Sequence, residues 1–244
     1  MNTQAPLMEL QDVKTTCGLN KLAIFSMKVF PGVCYQITGV NGAGKSLLMK
    51  VLAHKNNISK GDILYEGKSL KKGEYSKSIL SDKIAYVKQE RPFFAGKTVL
   101  SYLQASIKDK SKSSAIAHQE TMNLIEKFEL TAYSGVKRSK LSRGLFKKVE
   151  LLKVLLQNKD IMILDDPYSG LDEFFIKKYN SYLRSLVKGE RKTAIISHAG
   201  SLSRFRLIDV LLVLNKGRIV KIDKPQYRTG AGNRTGKKYT KRTQ

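Results

Sequence analysis

Gly39-Val40-Asn41-Gly42-Ala43-Gly44-Lys45-Ser46 is the stretch on which the reading of this chain turns. It follows Val33-Cys34-Tyr35-Gln36-Ile37-Thr38, a short run rich in β-branched and aromatic residues, and precedes Leu47, Leu48, Val51 and Leu52 at helical spacing. A glycine-rich turn between a strand and a helix lets successive backbone N–H groups point into one hollow, and the helix start adds the positive end of its dipole. Such a hollow suits phosphate oxygens. Lys45 is placed to reach the outer phosphates of a nucleoside triphosphate, and the Ser46 hydroxyl to ligate Mg²⁺. The cradle would comprise Gly39, Val40, Asn41, Gly42, Ala43, Gly44, Lys45, Ser46 and Leu47.

A cradle of this kind needs an acid at the end of a neighbouring strand to hold the metal. Ile161-Met162-Ile163-Leu164-Asp165-Asp166 offers four apolar residues and then two carboxylates where the strand emerges. Asp165 is the metal-side acid. Asp166, next in line, is placed to orient or deprotonate an attacking water.

Working outward, Leu7–Val13 and Leu22–Val29 alternate as strands, and Asp62–Tyr65 and Lys83–Val87 are further short ones. From about residue 91 to 144 the pattern turns helical and polar. Ser113–Leu130 holds an amphipathic helix with Ile116, Met122, Leu124, Ile125 and Phe128 on its apolar side. A second helix starts with Ser142 as N-cap and carries Leu145, Val149, Leu152 and Leu156. Helix Asp172–Val187, strand Thr193–Ser197 and a hairpin of Val210–Leu214 with Arg218–Ile222 follow. Strands alternating with helices predict an α/β fold with a mostly parallel, helix-covered sheet, flanked by antiparallel strands near the N-terminus. Residues 1–223 read as one nucleotide-binding domain.

The chain of 244 residues carries a formal net charge of +25. Such a field favours anionic partners, whether nucleic acid, acidic lipid or nucleotide phosphates, and it also fits a source with lysine-rich proteins generally. Residues 224–244 read as a basic, disordered tail: from Pro225 onward Arg228, Arg234, Lys237, Lys238, Lys241 and Arg242 stand against no acidic residue. Only Tyr227 and Tyr239 lie among those charges, too few for a base-stacking platform, which counts against nucleic acid. No apolar run approaches the roughly 18–20 residues of a membrane span, and Met1–Pro6 shows neither a basic nor an apolar region of a secretory signal. Cys17 and Cys34 make no disulfide framework, and Cys34 reads as a buried reduced thiol.

Six segments together carry a resemblance. The loop at 39–46, Gln89 beyond the strand Ile84–Val87, Leu141-Ser142-Arg143-Gly144, Asp165-Asp166-Pro167, Ser169-Gly170-Leu171-Asp172 and Ile195-Ile196-Ser197-His198 come in the order of an ABC-transporter nucleotide-binding subunit. The chain resembles that family over about residues 7–222. The resemblance implies a P-loop NTPase fold with an N-terminal antiparallel β subdomain and a helical subdomain at about 91–144. It implies ATP and Mg²⁺ as cofactors and ATP hydrolysis coupled to transport. Gln89 resembles the glutamine that senses Mg²⁺ and the terminal phosphate, and His198 the histidine that contacts that phosphate. Ser142 and Gly144 resemble the signature that closes over the nucleotide of a second subunit, and Asp172 the acid that crosses between subunits. The implied partners are a second nucleotide-binding subunit, in a homodimer, and a separate transmembrane permease, with the chain peripheral on the cytoplasmic side of the membrane. The basic charge itself, apart from the resemblance, suits contact of that surface with anionic lipid. Two other readings remain: a nucleic-acid- or ribosome-associated ATPase of the same family, and a weakly hydrolysing ATP-dependent scaffold.

Departures from the family pattern bear on rate. Arg143 and Leu145 stand where glycine and glutamine are usual, and Asp166 where the catalytic glutamate is usual. Leu47 replaces a common hydroxyl, and the aromatic that usually stacks on adenine has no counterpart near Cys17. Slow hydrolysis is the expectation. Tyr35–Ser46 and Gly61–Gly67 are similar to the ATPase subunit of the cytochrome c maturation haem-handling transporter.

Overall fold

The computed structural model describes residues 5–17, 20–54, 58–71, 82–87, 97–107, 113–200, 202 and 206–223. Ten strands and five α-helices are seen there. An antiparallel sheet of four strands, in the order β2-β1-β4-β5, is built from β1 (Met8–Cys17), β2 (Asn20–Val29), β4 (Lys60–Tyr65) and β5 (Lys68–Ser69). The second sheet has six strands in the order β10-β9-β3-β8-β7-β6. Its members are β3 (Cys34–Thr38), β6 (Ile84–Val87), β7 (Ile161–Asp165), β8 (Thr193–Ser197), β9 (Val210–Asn215) and β10 (Arg218–Asp223). Every pairing in it is parallel except the β9–β10 hairpin.

The apolar runs of the sequence are explained by burial on both sheet faces. Along β7, Met162 and Leu164 join the cluster on one face, with the helices, while Ile161 and Ile163 join the other, under the antiparallel sheet. All five residues of β7 and of β8 are buried. Each such aliphatic side chain contributes roughly 1.5–3 kcal/mol of transfer free energy, so a two-faced strand is apolar at successive positions along its middle, with the buried polar residues Asp165, Thr193 and Ser197 at the strand ends. By contrast β10, at the sheet edge, leaves Val220 and Ile222 exposed.

The helices are α1 (Lys45–Leu52), α2 (Val99–Gln104), α3 (Ser114–Lys127), α4 (Arg143–Gln157) and α5 (Glu173–Gly189). Four of the five begin on a side-chain cap: Thr98, Ser113, Ser142 and Asp172 accept from the backbone N–H three residues on. Only α1 starts without one. The strand and helix limits differ from the sequence reading by a few residues, most at β1, which extends beyond Val13 to Cys17 through register shifts against β2. Such shifts interrupt simple alternation and hide the strand's length.

Ile116 departs from expectation: it is 50% exposed. The buried line of α3 is Thr121, Leu124 and Ile125, and Ile116, five positions before Thr121, lies about 140° away around the helix. Thr121 can take a buried place because its hydroxyl donates to the Ala117 carbonyl at 2.7 Å. Cys34 is a buried free thiol, as expected.

Candidate functional site

The three carboxyl-terminal strand ends that matter lie side by side. β3 pairs with β8 and β8 with β7, all parallel, so the loop after Thr38, the residues after Ser197 and the residues after Leu164 emerge at one sheet edge. Open α/β sheets place ligands at such an edge. A cavity of about 320 Å³ sits there, lined by Asn41, Gly42, Gly44, Lys45, Ser46, Leu47, Asp165, Asp166, Ser197 and Ala199.

The loop is shaped by backbone approach. A Cβ on Gly39, whose φ is +153°, would lie 2.1 Å from the Leu214 carbonyl oxygen, so no side chain fits. The same hairpin braces the loop again where Gly217 N–H donates to the Ala43 carbonyl at 2.9 Å. Gly44 has φ +101° and is the uncapped start of α1. Lys45 Nζ donates to the carbonyls of Gly39 and Val40 at 2.7 and 3.0 Å, which holds the ammonium across the loop.

Across the cavity, the Ser46 hydroxyl donates to Asp165 Oδ1 at 3.2 Å, and the Ser197 hydroxyl donates to the same oxygen at 2.6 Å. Burial pushes the Asp165 carboxyl above its ordinary range, against those two hydrogen bonds. A hydroxyl and a carboxylate so close are hard oxygen donors suited to Mg²⁺. Among the described residues no group of three or more His, Cys, Asp or Glu side chains could hold a metal alone. An ion here would take its other ligands from phosphate and water, which is the habit of Mg²⁺ with nucleotides.

Asp166 adopts φ 45°, a left-handed conformation uncommon for a residue with a side chain. Its N–H donates to the Ser197 carbonyl at 3.2 Å and to the Ser197 hydroxyl at 2.9 Å, so one serine holds the Asp165 carboxylate and the Asp166 backbone. Asp166 Oδ1 lies 3.2 Å from His198 Nδ1. This hydrogen bond holds the Asp166 carboxyl below its usual range despite partial burial, so Asp166 carries its negative charge at neutral pH. The His198 ring also meets Tyr168 edge-on, with centroids 6.0 Å apart.

The sequence-assigned residues divide in three. Asn41, Gly42, Gly44, Lys45, Ser46, Leu47, Asp165 and Asp166 line the cavity, and His198 reaches it through Asp166. Gly39, Val40, Ala43, Ser142 and Gly144 are not among the lining residues. Ala43 is buried beneath the loop, whereas Val40 is 70% exposed. Gln89 and the tail 224–244 lie outside the described residues.

Ser142 caps α4, and Gly144 in its first turn sits beside the turn that follows Asp166. A Cβ on Gly144 would be 3.5 Å from the Gly170 carbonyl oxygen. Lys148 pairs with Asp172 at 2.6 Å, and Lys147 donates to the Ser169 carbonyl at 3.1 Å. Burial pulls the Lys147 ammonium below the usual lysine range, against the pull of the Asp166 charge. The Lys148 and Phe175 N–H hydrogen bonds keep the Asp172 carboxyl below its usual range. Three contributors were not singled out from sequence: Ser197, Lys147 and the buried Gln36. Ser197 was quoted as part of a motif, but its two hydrogen bonds depend on β7 and β8 being neighbours.

A family model described as ABC transporter matches residues 22–169, more than half of the chain, and the chain belongs to that family. It is 27% identical over 210 residues to the ATP-dependent lipid A-core flippase of Hahella chejuensis, a match covering 84% of this chain and 35% of that protein. It is 28% identical over 219 residues to the uncharacterized ABC transporter ATP-binding protein YhcH of Bacillus subtilis, covering 88% and 69%. The chain thus spans about a third of the flippase and somewhat over two thirds of YhcH. Among solved structures, the dimeric structure of a bacterial ABC transporter cassette superposes with a TM-score of 0.80 at 19% identity, over 89% of this chain and 98% of that one. The fold is therefore that of the ATP-binding cassettes. Among the described residues no helix is long and apolar enough to cross a membrane.

Proposed function

We propose that this chain binds ATP with Mg²⁺ in the cavity at the strand edge, hydrolyses it, and works as one of a homodimeric pair on a separate membrane-embedded permease. The observation that carries this reading is the convergence, in one cavity, of the Gly39–Ser46 loop with Asp165 and Asp166. The loop N–H groups and Lys45 hold the phosphates. Ser46 and Asp165 would hold Mg²⁺, joined by Gln89 as the family resemblance implies, and the bound ion would offset charge on the phosphate oxygens. Asp166 orients a water and takes its proton as the water oxygen bonds to the terminal phosphorus. The bond from that phosphorus to the bridging oxygen breaks, releasing ADP and phosphate. His198 holds Asp166 and faces the terminal phosphate. Asp166 is one methylene shorter than the usual glutamate, and a misplacement of about 1 Å can cost on the order of a hundredfold in rate, so turnover is slow.

Ser142 and Gly144 close over the nucleotide of the second copy. The peripheral position, on the cytoplasmic side of a membrane, is supported by the family and by the +25 charge, each Lys or Arg near an anionic leaflet contributing about 1 kcal/mol. Tyr35–Ser46 and Gly61–Gly67 favour a permease of the haem-handling type used in cytochrome c maturation.

The test has two parts. Light scattering on the purified chain should show a dimer that forms with ATP, and phosphate release should require Mg²⁺. A pull-down from detergent-solubilised native membranes should recover a multi-span protein in stoichiometric amount. Failure to bind ATP would end the nucleotide reading. Recovery of ribosomal proteins, surviving nuclease and moderate salt, would end the permease reading.

A further inference from the structure

The loop that follows His198 is tied to β3, the strand that carries the phosphate loop. Gln36 on β3 is 2% exposed, and both ends of its amide are used. Its Nε2 donates to the Gly200 carbonyl at 2.6 Å, and its Oε1 accepts from the Leu202 N–H at 3.1 Å. Two residues on, the Thr38 hydroxyl donates to the Ala199 carbonyl at 3.1 Å. On the near side, the His198 N–H donates to the Ile37 carbonyl at 3.0 Å. The backbone is thus tied to β3 at four residues, His198, Ala199, Gly200 and Leu202, although Ala199 and Gly200 are themselves exposed. Gly200 also lies beside the ring: a Cβ on it would make an ordinary contact with His198 Nε2 at 3.4 Å.

A glutamine buried in an otherwise apolar strand is costly unless both its donor and its acceptor are satisfied. A leucine or methionine would fill the same space without that demand. What the amide adds is direction, because only a group that donates and accepts at once can fix a carbonyl and an N–H two residues apart.

We infer that Gln36, assisted by Thr38, is the positioning residue for His198: together they hold the backbone at Ala199, Gly200 and Leu202 so that the imidazole meets Asp166 at the mouth of the phosphate cavity. This rests on the reading of His198 as a residue of the hydrolysis site. It also means that β3, which leads into the phosphate loop, braces the residues that follow His198 at the end of β8, so that a shift of β3 reaches both.

The chain has only three histidines, so the imidazole resonances of isotope-labelled full-length protein can be assigned with His198→Ala. Gln36→Met keeps the side-chain length and removes both hydrogen bonds. It should shift or broaden the His198 resonances and lower kcat for ATP by about ten- to a hundredfold, with KM little changed because the phosphate loop is intact. Thr38→Val, at a half-buried position that disturbs folding less, should shift the same resonances by a smaller amount. Unmoved His198 resonances in both variants would overturn the proposal. So would a loss of ATP affinity in Gln36→Met that matches the loss of turnover, since that would make Gln36 a support of the whole strand. If the wild-type chain shows no turnover while Gln36→Met still moves His198, the hydrolysis reading falls and the positioning contact stands.

Discussion

Two helix starts in this chain are assigned to nucleotide phosphate, and they are built in opposite ways. α1 begins on Gly44 with no side-chain cap, its first N–H groups turned to a cavity that three strand ends enclose. α4 begins on Ser142, whose hydroxyl already accepts from the Leu145 N–H at 3.2 Å, and exposed Arg143 follows. A capped start offers a ligand less: one of its donors is spoken for, and the cap stabilises the helix by about 1 kcal/mol in its own right. The first start is therefore complete within one chain. The second lies beside the Ser169–Asp172 turn, away from the cavity, and on the dimer reading meets phosphate only on a second copy.

That contrast can be broken or sharpened by substitution, the largest effect coming from the self-contained site. Lys45→Ala removes the one ammonium held across the loop and should abolish ATP binding measured by calorimetry. Retained binding would mean that the cavity is not the phosphate site. Asp166→Asn should leave ATP bound while phosphate release falls by two or more orders of magnitude, about what loss of a catalytic base costs, and the ATP dimer should persist on size exclusion. A normal rate would remove Asp166 from its role.

Ser142→Ala tests the other helix. It should cost about 1 kcal/mol of stability through the lost cap and weaken ATP-dependent dimerisation, while ATP affinity of the monomer stays at the wild-type value. A fall in monomer affinity would mean that α4 serves its own cavity, and the contrast would collapse. The smallest effect concerns Asp165. Its folded pKa is raised, so the unfolded chain loses this proton first and stability falls as pH rises through the ordinary carboxylate range and on to the raised value. Asp165→Asn should thus raise the melting temperature of nucleotide-free protein by a few degrees near neutrality and remove the added stabilisation by Mg²⁺ with ATP. A lower melting temperature would mean that the Ser46 and Ser197 hydrogen bonds outweigh the desolvation of the charge.

Much of this was legible in the chain itself, for local reasons. A strand, a glycine-rich turn and a helix start are adjacent in sequence, so Gly39–Ser46 declares both its conformation and its chemistry. The two-faced strands β7 and β8 show as the apolar runs Ile161–Leu164 and Ala194–Ile196, and Ser142 and Asp172 mark helix starts because a cap acts only three residues ahead. Other features depended on which strands became neighbours. The Ser197 hydroxyl carries Asp165 and Asp166 because β8 pairs with β7 in parallel register. Gln36 reaches Gly200 and Leu202 because β3 lies on the other side of β8. Ile116 faces solvent because Thr121, with its hydroxyl satisfied by its own helix, lies on the buried line of α3. Sequence determined the elements and the phosphate chemistry, since both follow from nearest neighbours along the chain. Tertiary structure decided how the histidine and the two carboxylates are held, since hydrogen bonds across 31 to 166 positions exist only once the sheet has assembled.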